Sequence, residues 1–309
     1  MDTTSKTMFV FPGQGVQTIG MGADLAQHFR IAKDVFEEVD EALHQKLSDM
    51  MFKGNLSELT QTQNAQPAIM AVSMAVFRVL KSLGAKMPDA VAGHSLGEYS
   101  ALCAAEVLTL SDTAKLLQAR GLAMAKACEQ SHGGMLALLG ATPEQAQEIA
   151  AQTNCYVAND NAPGQIVLSG LVDPLICAQE MAKKMEIKRA IPLQVAGAFH
   201  SPLMQSAADE MKSVLEETSF KAPVIPVYFD VLADVNVQPN QYATLLTRQI
   251  VEPVRWRELI QNAQMPHFVE CGPGMTLAGL IRRICPAAMV TSVVTPQEIE
   301  SFIQQGVVA

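Results

Sequence analysis

The sequence predicts an α/β protein, a larger strand-and-helix framework into which a smaller ferredoxin-like βαββαβ unit is inserted. Three observations carry this. Short apolar runs at Met8–Phe11, Val91–Gly93 and His267–Cys271 each end in a glycine turn that leads into a helix. One of those turns, Gly93-His94-Ser95-Leu96-Gly97, sets a serine between two glycines where a strand gives way to a helix. Between Gly133 and Leu193 the rhythm changes to strand, helix, strand, strand, helix, strand.

Bulk properties narrow the function classes. At 309 residues, 49 % hydrophobic and only 17 % charged, the chain buries a large core and lies far from the composition of disorder. No apolar run approaches the roughly 18 residues of a membrane span. Met1–Lys6 leads straight into the first strand, so neither a signal nor a transit peptide is expected, and the cytoplasm is the default location. A net charge of −9 argues against general nucleic-acid binding and requires any acidic partner to dock on a local basic patch. The six cysteines form no Cys-x-x-Cys pair, which argues against a zinc site or a disulfide framework.

The first strand, Thr7–Phe11, runs into Pro12-Gly13-Gln14-Gly15-Val16-Gln17. This turn lacks a Gly-Lys-Ser/Thr ending, and Thr18 stands where a dinucleotide fingerprint has its third glycine, so nucleotide binding is rejected. A tight turn aiming backbone N–H groups at an anion remains. Apolar residues then recur at helical spacing from Met21 to Met51. Gln61–Gln66 reads as a polar turn, and Pro67 as the opening of a long helix, Ala68–Leu83, apolar on nearly every side and therefore buried. At the serine turn, Gly93 and Gly97 answer the need for close backbone approach. The helix expected over Leu96–Val107 points its N-terminal N–H groups at Ser95. A solvated serine in an ordinary glycine turn is the plainer reading.

Ser111 is expected to cap a helix from Asp112 to about Glu129, which carries Arg120 on its apolar stripe with Leu116 and Met124. A guanidinium there needs a partner: an internal acid or a chain carbonyl, or the carboxylate of a substrate. Within the insert, strands at Met135–Leu139, Cys155–Ala158, Gln165–Ser169 and Lys188–Leu193 alternate with helices at Pro143–Ala151 and Pro174–Lys184, and Asn159–Gly164 forms a loop. After it, Ser201 and Pro202 announce a helix through Glu217 and leave His200 at its mouth, where the dipole favours a neutral imidazole. A neutral imidazole suits a general base; packing in a surface loop is the alternative. A strand at Val224–Val231, a helix with Arg248 and Gln249, a strand at His267–Cys271 and a helix at Leu277–Ile284 complete the order.

From Phe9 to about Ser292 these segments closely resemble the malonyl-CoA:acyl carrier protein transacylase family. The resemblance rests on Phe11-Pro12-Gly13-Gln14-Gly15, Gly93-His94-Ser95-Leu96-Gly97-Glu98, Arg120-Gly121, Phe199-His200, Arg248-Gln249 and Glu270-Cys271-Gly272-Pro273-Gly274 in that order. It implies an α/β-hydrolase-like catalytic core at residues 1–132 and 194–309, with residues 133–193 as the ferredoxin-like subdomain over the cleft. It implies Ser95 as nucleophile, His200 as base, and the main-chain carbonyl of Gln249 as the group orienting that base. Backbone N–H groups of Gln14 and Leu96 would form the oxyanion hole. Arg120 would hold the malonyl carboxylate, with Phe199, His94 and Asn161 as further substrate contacts. Malonyl-CoA and acyl carrier protein are the implied partners, with phosphopantetheine carried by the partner, no cofactor or metal of the enzyme's own, no membrane, and a monomeric state.

The same resemblance points to Lys188 and Arg189 as carrier contacts, with Arg282 and Arg283 as further candidates, whereas Lys183 and Lys184 read as solvated surface. Val16 stands where the family usually carries serine and Asp230 where asparagine is common; Ala198 and Cys271 are lesser variants. The implied activity initiates fatty acid synthesis. A free-standing polyketide acyltransferase is the near alternative. A serine thioesterase or hydrolase would want an acidic partner for His200, and no arginine in the pocket.

Overall fold

Five parallel strands make the central sheet, and their side chains separate cleanly by parity. Phe9, Phe11, Val91 and Val269 face one hydrophobic cluster, whereas Met8, Val10, Ala92 and Phe268 face another. Strands with both faces covered read as unbroken apolar runs, which is why Thr7–Phe11 is buried throughout. The computed structural model describes residues 6–235 and 237–305. Met1–Ser5, on which the expected absence of a leader rests, lie outside the described residues.

In chain order the strands are β1 (Thr7–Phe11), β2 (Ala90–Gly93), β3 (Gly133–Leu139), β4 (Tyr156–Ala162), β5 (Gln165–Leu171), β6 (Arg189–Pro192), β7 (Val227–Tyr228), β8 (His267–Cys271) and β9 (Met289–Val293). The main sheet has the order β7-β2-β1-β8-β9 and is parallel throughout. Its register pairs Phe11 with Gly93, so the turns after β1 and β2 leave the sheet side by side. Two long helices, Thr62–Ser82 and Leu110–Ser131, pack together against one face.

The insert forms its own antiparallel sheet, in the order β4-β5-β3-β6. Helices Pro143–Thr153 and Val172–Lys184 cover one face around Leu136, Leu138, Ile149 and Leu168. The strand–helix order is the one expected from the sequence. The insert is stitched to the rest of the molecule along β4. Asp160 N–H donates to the Val254 carbonyl at 3.0 Å, and Val254 N–H to that of Ala158 at 2.9 Å. The Arg257 guanidinium grips both Asp160 carboxylate oxygens.

Five expectations need correction. Gln61–Gln66 is not a turn: the helix begins at Thr62 and runs through Pro67, whose missing N–H leaves the Gln63 carbonyl without its intrahelical donor. Thr109, not Ser111, caps the Leu110–Ser131 helix, its Oγ1 accepting from Asp112 N–H at 3.0 Å. Asn159–Ala162 belongs to β4, where two bulges and the Val254 stitch accommodate residues that otherwise favour turns. Ser201 does not cap its helix. Its hydroxyl donates to the Ala198 carbonyl at 2.6 Å, and a 3₁₀ turn at Pro202–Met204 precedes the helix Gln205–Glu216. The strand expected over Val224–Val231 shortens to β7. Among the described residues, no helix is long and apolar enough to cross a membrane.

At the serine turn, a Cβ on Gly93 would fall onto the backbone of Gly97 and Glu98, and one on Gly97 onto the carbonyls of Phe11 and Pro12. Gly97→Ala must therefore push two backbone segments apart. It is expected to cost about 3 kcal/mol or more, read as a lower urea midpoint at unchanged slope.

Candidate active site

Parallel sheets hold ligands beyond the carboxyl ends of their strands. Here the turns after β1 and β2 open onto a cavity of about 940 Å³, and the insert supplies one wall through Met135, Asn159, Asn161 and Val167. Gln14, His94, Ser95, Leu96, Arg120, Phe199 and His200 all line it.

Ser95 sits at φ 55° and His200 at φ 56°, left-handed conformations that a side chain adopts only when its surroundings enforce them. Ser95 Oγ lies 2.8 Å from His200 Nε2, and His200 Nδ1 lies 2.8 Å from the Gln249 carbonyl oxygen. A carbonyl can only accept, so the ring proton belongs on Nδ1 and Nε2 is free to accept from the serine hydroxyl. Burial, followed by the nearby Arg120 charge, pushes the His200 pKa down to about 3. The neutral form expected from the helix dipole is therefore enforced mainly by desolvation. Such a pair can take up the hydroxyl proton as the oxygen attacks a carbonyl carbon.

Arg120 is 1 % exposed, and none of the ion pairs among the described residues includes it. Its Nη1 donates to Gln66 Oε1 at 2.7 Å; its Nη2 donates to Gln249 Oε1 at 3.1 Å and Ser95 Oγ at 3.2 Å. The Tyr99 ring lies 5.7 Å from the guanidinium carbon, and Nε has no hydrogen-bond partner among the described residues. The internal acid that the sequence left open is thus not what holds this cation. Behind it are two buried carboxyls. Asp230 Oδ2 accepts from Ser95 N–H at 2.7 Å, and Glu98 Oε2 from Asp230 N–H at 2.6 Å. Burial raises Asp230 to about 8 and Glu98 well above the ordinary range.

Neither the Gln14 nor the Leu96 backbone N–H is spent on a backbone carbonyl among the described residues. His94 Nε2 lies 2.8 Å from Asn161 Oδ1, bridging the serine turn to the insert, and the ring packs edge-on to Trp256. Phe199 is buried against the cavity. Lys188 and Arg189 stand exposed at the start of the edge strand β6 and do not line the cavity. Arg282 and Arg283 are engaged within the chain: Arg282 donates to the Val290 carbonyl, Arg283 to that of Pro163 and to Gln165 Oε1.

The acyl transferase domain family matches residues 8–288. The malonyl CoA-acyl carrier protein transacylase of Bacillus subtilis (strain 168) is 41 % identical over 308 residues, spanning 97 % of this chain and 97 % of that protein. This chain belongs to the malonyl CoA-acyl carrier protein transacylase family. Solved structures agree. The acyl-carrier-protein-S-malonyltransferase of Bartonella henselae superposes with TM-score 0.93 at 44 % identity, covering 97 % of this chain and 99 % of that one. A malonyl-transacylase in complex with a type II PKS acyl-carrier protein superposes with TM-score 0.93 at 34 % identity, covering 98 % and 100 %.

Sequence reasoning missed Gln66 and Tyr99 in this family member. Gln66 fell in a stretch read as turn, and its signal was a polar side chain directly ahead of a run that is apolar on nearly every side. Tyr99, one turn past the serine, carried no signal beyond following directly on the Gly93–Glu98 motif.

Because burial holds His200 neutral well below its usual range, its ring signals in a long-range ¹H–¹⁵N spectrum of the free protein are expected to stay constant from pH 8 down to pH 5. An inflection near pH 6.5 would contradict the buried geometry.

Proposed function

We propose that this chain moves malonyl from malonyl-CoA, through a Ser95 ester, to the phosphopantetheine thiol of an acyl carrier protein, feeding fatty acid synthesis. The observation that carries the reading is a buried arginine, in no ion pair among the described residues, whose Nη2 lies 3.2 Å from the Ser95 hydroxyl. A fixed cation there fits a short acyl group ending in a carboxylate.

Ser95 Oγ gives its proton to His200 Nε2 and attacks the thioester carbonyl. The oxyanion is received by the N–H groups of Gln14 and Leu96. The intermediate collapses, the C–S bond breaks, and CoA leaves with the proton from Nε2. The carrier's thiol then enters, gives its proton to Nε2 and attacks the ester. Serine leaves and is reprotonated. The Gln249 carbonyl holds the imidazole throughout, and Phe199, His94 and Asn161 shape the acyl pocket. Lys188 and Arg189, on an exposed edge of an otherwise acidic protein, are the proposed carrier contacts.

The five-stranded parallel sheet and its helices support an α/β-hydrolase-like core, residues 1–132 and 194–309. The strand order β4-β5-β3-β6 supports a ferredoxin-like subdomain at 133–193. We place the enzyme in the cytoplasm as a monomer that needs no cofactor of its own. A polyketide carrier is the second reading, favoured by the similarity to the transacylase captured with a type II PKS carrier. A hydrolase is disfavoured because His200 Nδ1 meets a carbonyl rather than an acid.

Intact mass spectrometry after malonyl-CoA is expected to show one malonyl adduct that disappears on adding holo acyl carrier protein, and no adduct on Ser95→Ala; labelling of that variant refutes Ser95. Arg120→Ala leaves a substrate carboxylate buried without its partner, a penalty of about 3 kcal/mol or more, so malonyl transfer falls at least ~100-fold. Acetyl transfer should fall far less, and equal losses refute the clamp.

A further inference from the structure

Asp230 departs from the family's usual asparagine, and the mechanism above makes no use of it. Its side chain is wholly buried, yet it reaches the reacting residue: Oδ2 takes the backbone N–H of Ser95 at 2.7 Å. The carboxamide of Gln249 grips the other side of the same residue. Its Nε2 donates to the Ser95 carbonyl at 3.1 Å and stands 3.4 Å from Asp230 Oδ2. The two peptide units that flank Ser95 are therefore each held by a side chain from a distant part of the chain.

Those peptide units are not equivalent. The first sets the left-handed turn that presents the hydroxyl. The second links Ser95 to Leu96, and its N–H is one of the two proposed oxyanion donors. A donor placed on the carbonyl end of a peptide polarises it and strengthens the N–H at the other end. Asp230 is itself braced from the turn's own helix, since its backbone N–H donates to Glu98 Oε2 at 2.6 Å.

We infer that Asp230 and the Gln249 carboxamide are positioning residues that clamp the Ser95 backbone, Asp230 fixing the turn that presents the nucleophile and Gln249 aligning the Leu96 N–H for the oxyanion. The inference rests on the proposed transfer reaction. It extends the part played by Gln249, whose main-chain carbonyl faces His200, to its side chain. Burial raises the Asp230 pKa, favouring the uncharged acid, whose oxygen still accepts from the Ser95 N–H. An asparagine can do the same, which makes Asp230→Asn the conservative variant and Asp230→Ala the disruptive one. Gln249→Ala removes the carboxamide but keeps the carbonyl under His200.

The experiment is stopped-flow and steady-state transfer from malonyl-CoA to holo acyl carrier protein, with intact mass as a check on Ser95 occupancy. Asp230→Ala is expected to lower the acylation rate and kcat about 30-fold with KM for malonyl-CoA within about threefold of wild type, and Asp230→Asn to restore kcat to within about threefold. Gln249→Ala should lower kcat comparably and also raise KM, because Arg120 loses the Oε1 acceptor. Wild-type kcat in Asp230→Ala, or Asp230→Asn as slow as Asp230→Ala, overturns the inference. Should Asp230→Ala fail to fold, wild-type kcat in Gln249→Ala overturns it alone. A wild-type enzyme that takes up no malonyl on Ser95 refutes the transfer reaction instead, a result distinct from all of these.

Discussion

A guanidinium removed from water and, among the described residues, in no ion pair governs this structure. Arg120 lies in the middle of a long helix, 1 % exposed, and burial lowers its pKa. Taking such a charge from solvent is tolerable only when hydrogen bonds replace its hydration. Three side-chain oxygens and an aromatic face do so here, drawn from the helices at 62–82, 97–104 and 242–251 and from the serine turn. Those neutral partners offset part of the desolvation without neutralising the charge. The site is left with a standing positive potential beside the serine.

That arrangement explains why the neighbouring backbone is held so tightly. Ser95 and His200 both occupy left-handed conformations, and both are fixed by groups that recur in the cation's own network. Gln249 alone touches the serine carbonyl, the histidine ring and the arginine, with its side-chain amide and its main-chain oxygen used separately. Glycine at 93 and 97 lets the strand end and the helix approach closely enough for the network to close. Packing and chemistry are here the same constraint.

Much of this was legible in the sequence, and what was not has physical reasons. The strand–glycine–helix punctuation revealed β1, β2 and β8, and the change of rhythm revealed the insert. Arg120 announced itself by sitting on an apolar stripe. What stayed hidden depends on contacts distant in sequence. Gln66 looks like a turn residue until its partner, 54 positions away, is seen. Asn161 sits on a strand because an outside segment pairs with β4, a stabilisation that local propensity does not report. Asp230 was visible only as an oddity, since nothing in its neighbourhood betrays that it meets a backbone N–H 135 residues earlier.

The carbonyl that steers His200 has a chemical consequence of its own. The imidazole meets a neutral acceptor at Nδ1 and has the Arg120 charge nearby, so an imidazolium is poorly supported. In the proposed transfer, the proton drawn from Ser95 must therefore pass straight to the departing sulfur, and the one drawn from the incoming thiol straight back to Ser95. The acyl-enzyme that waits between the two partners then carries an uncharged ring, and each half of the exchange balances its own protons.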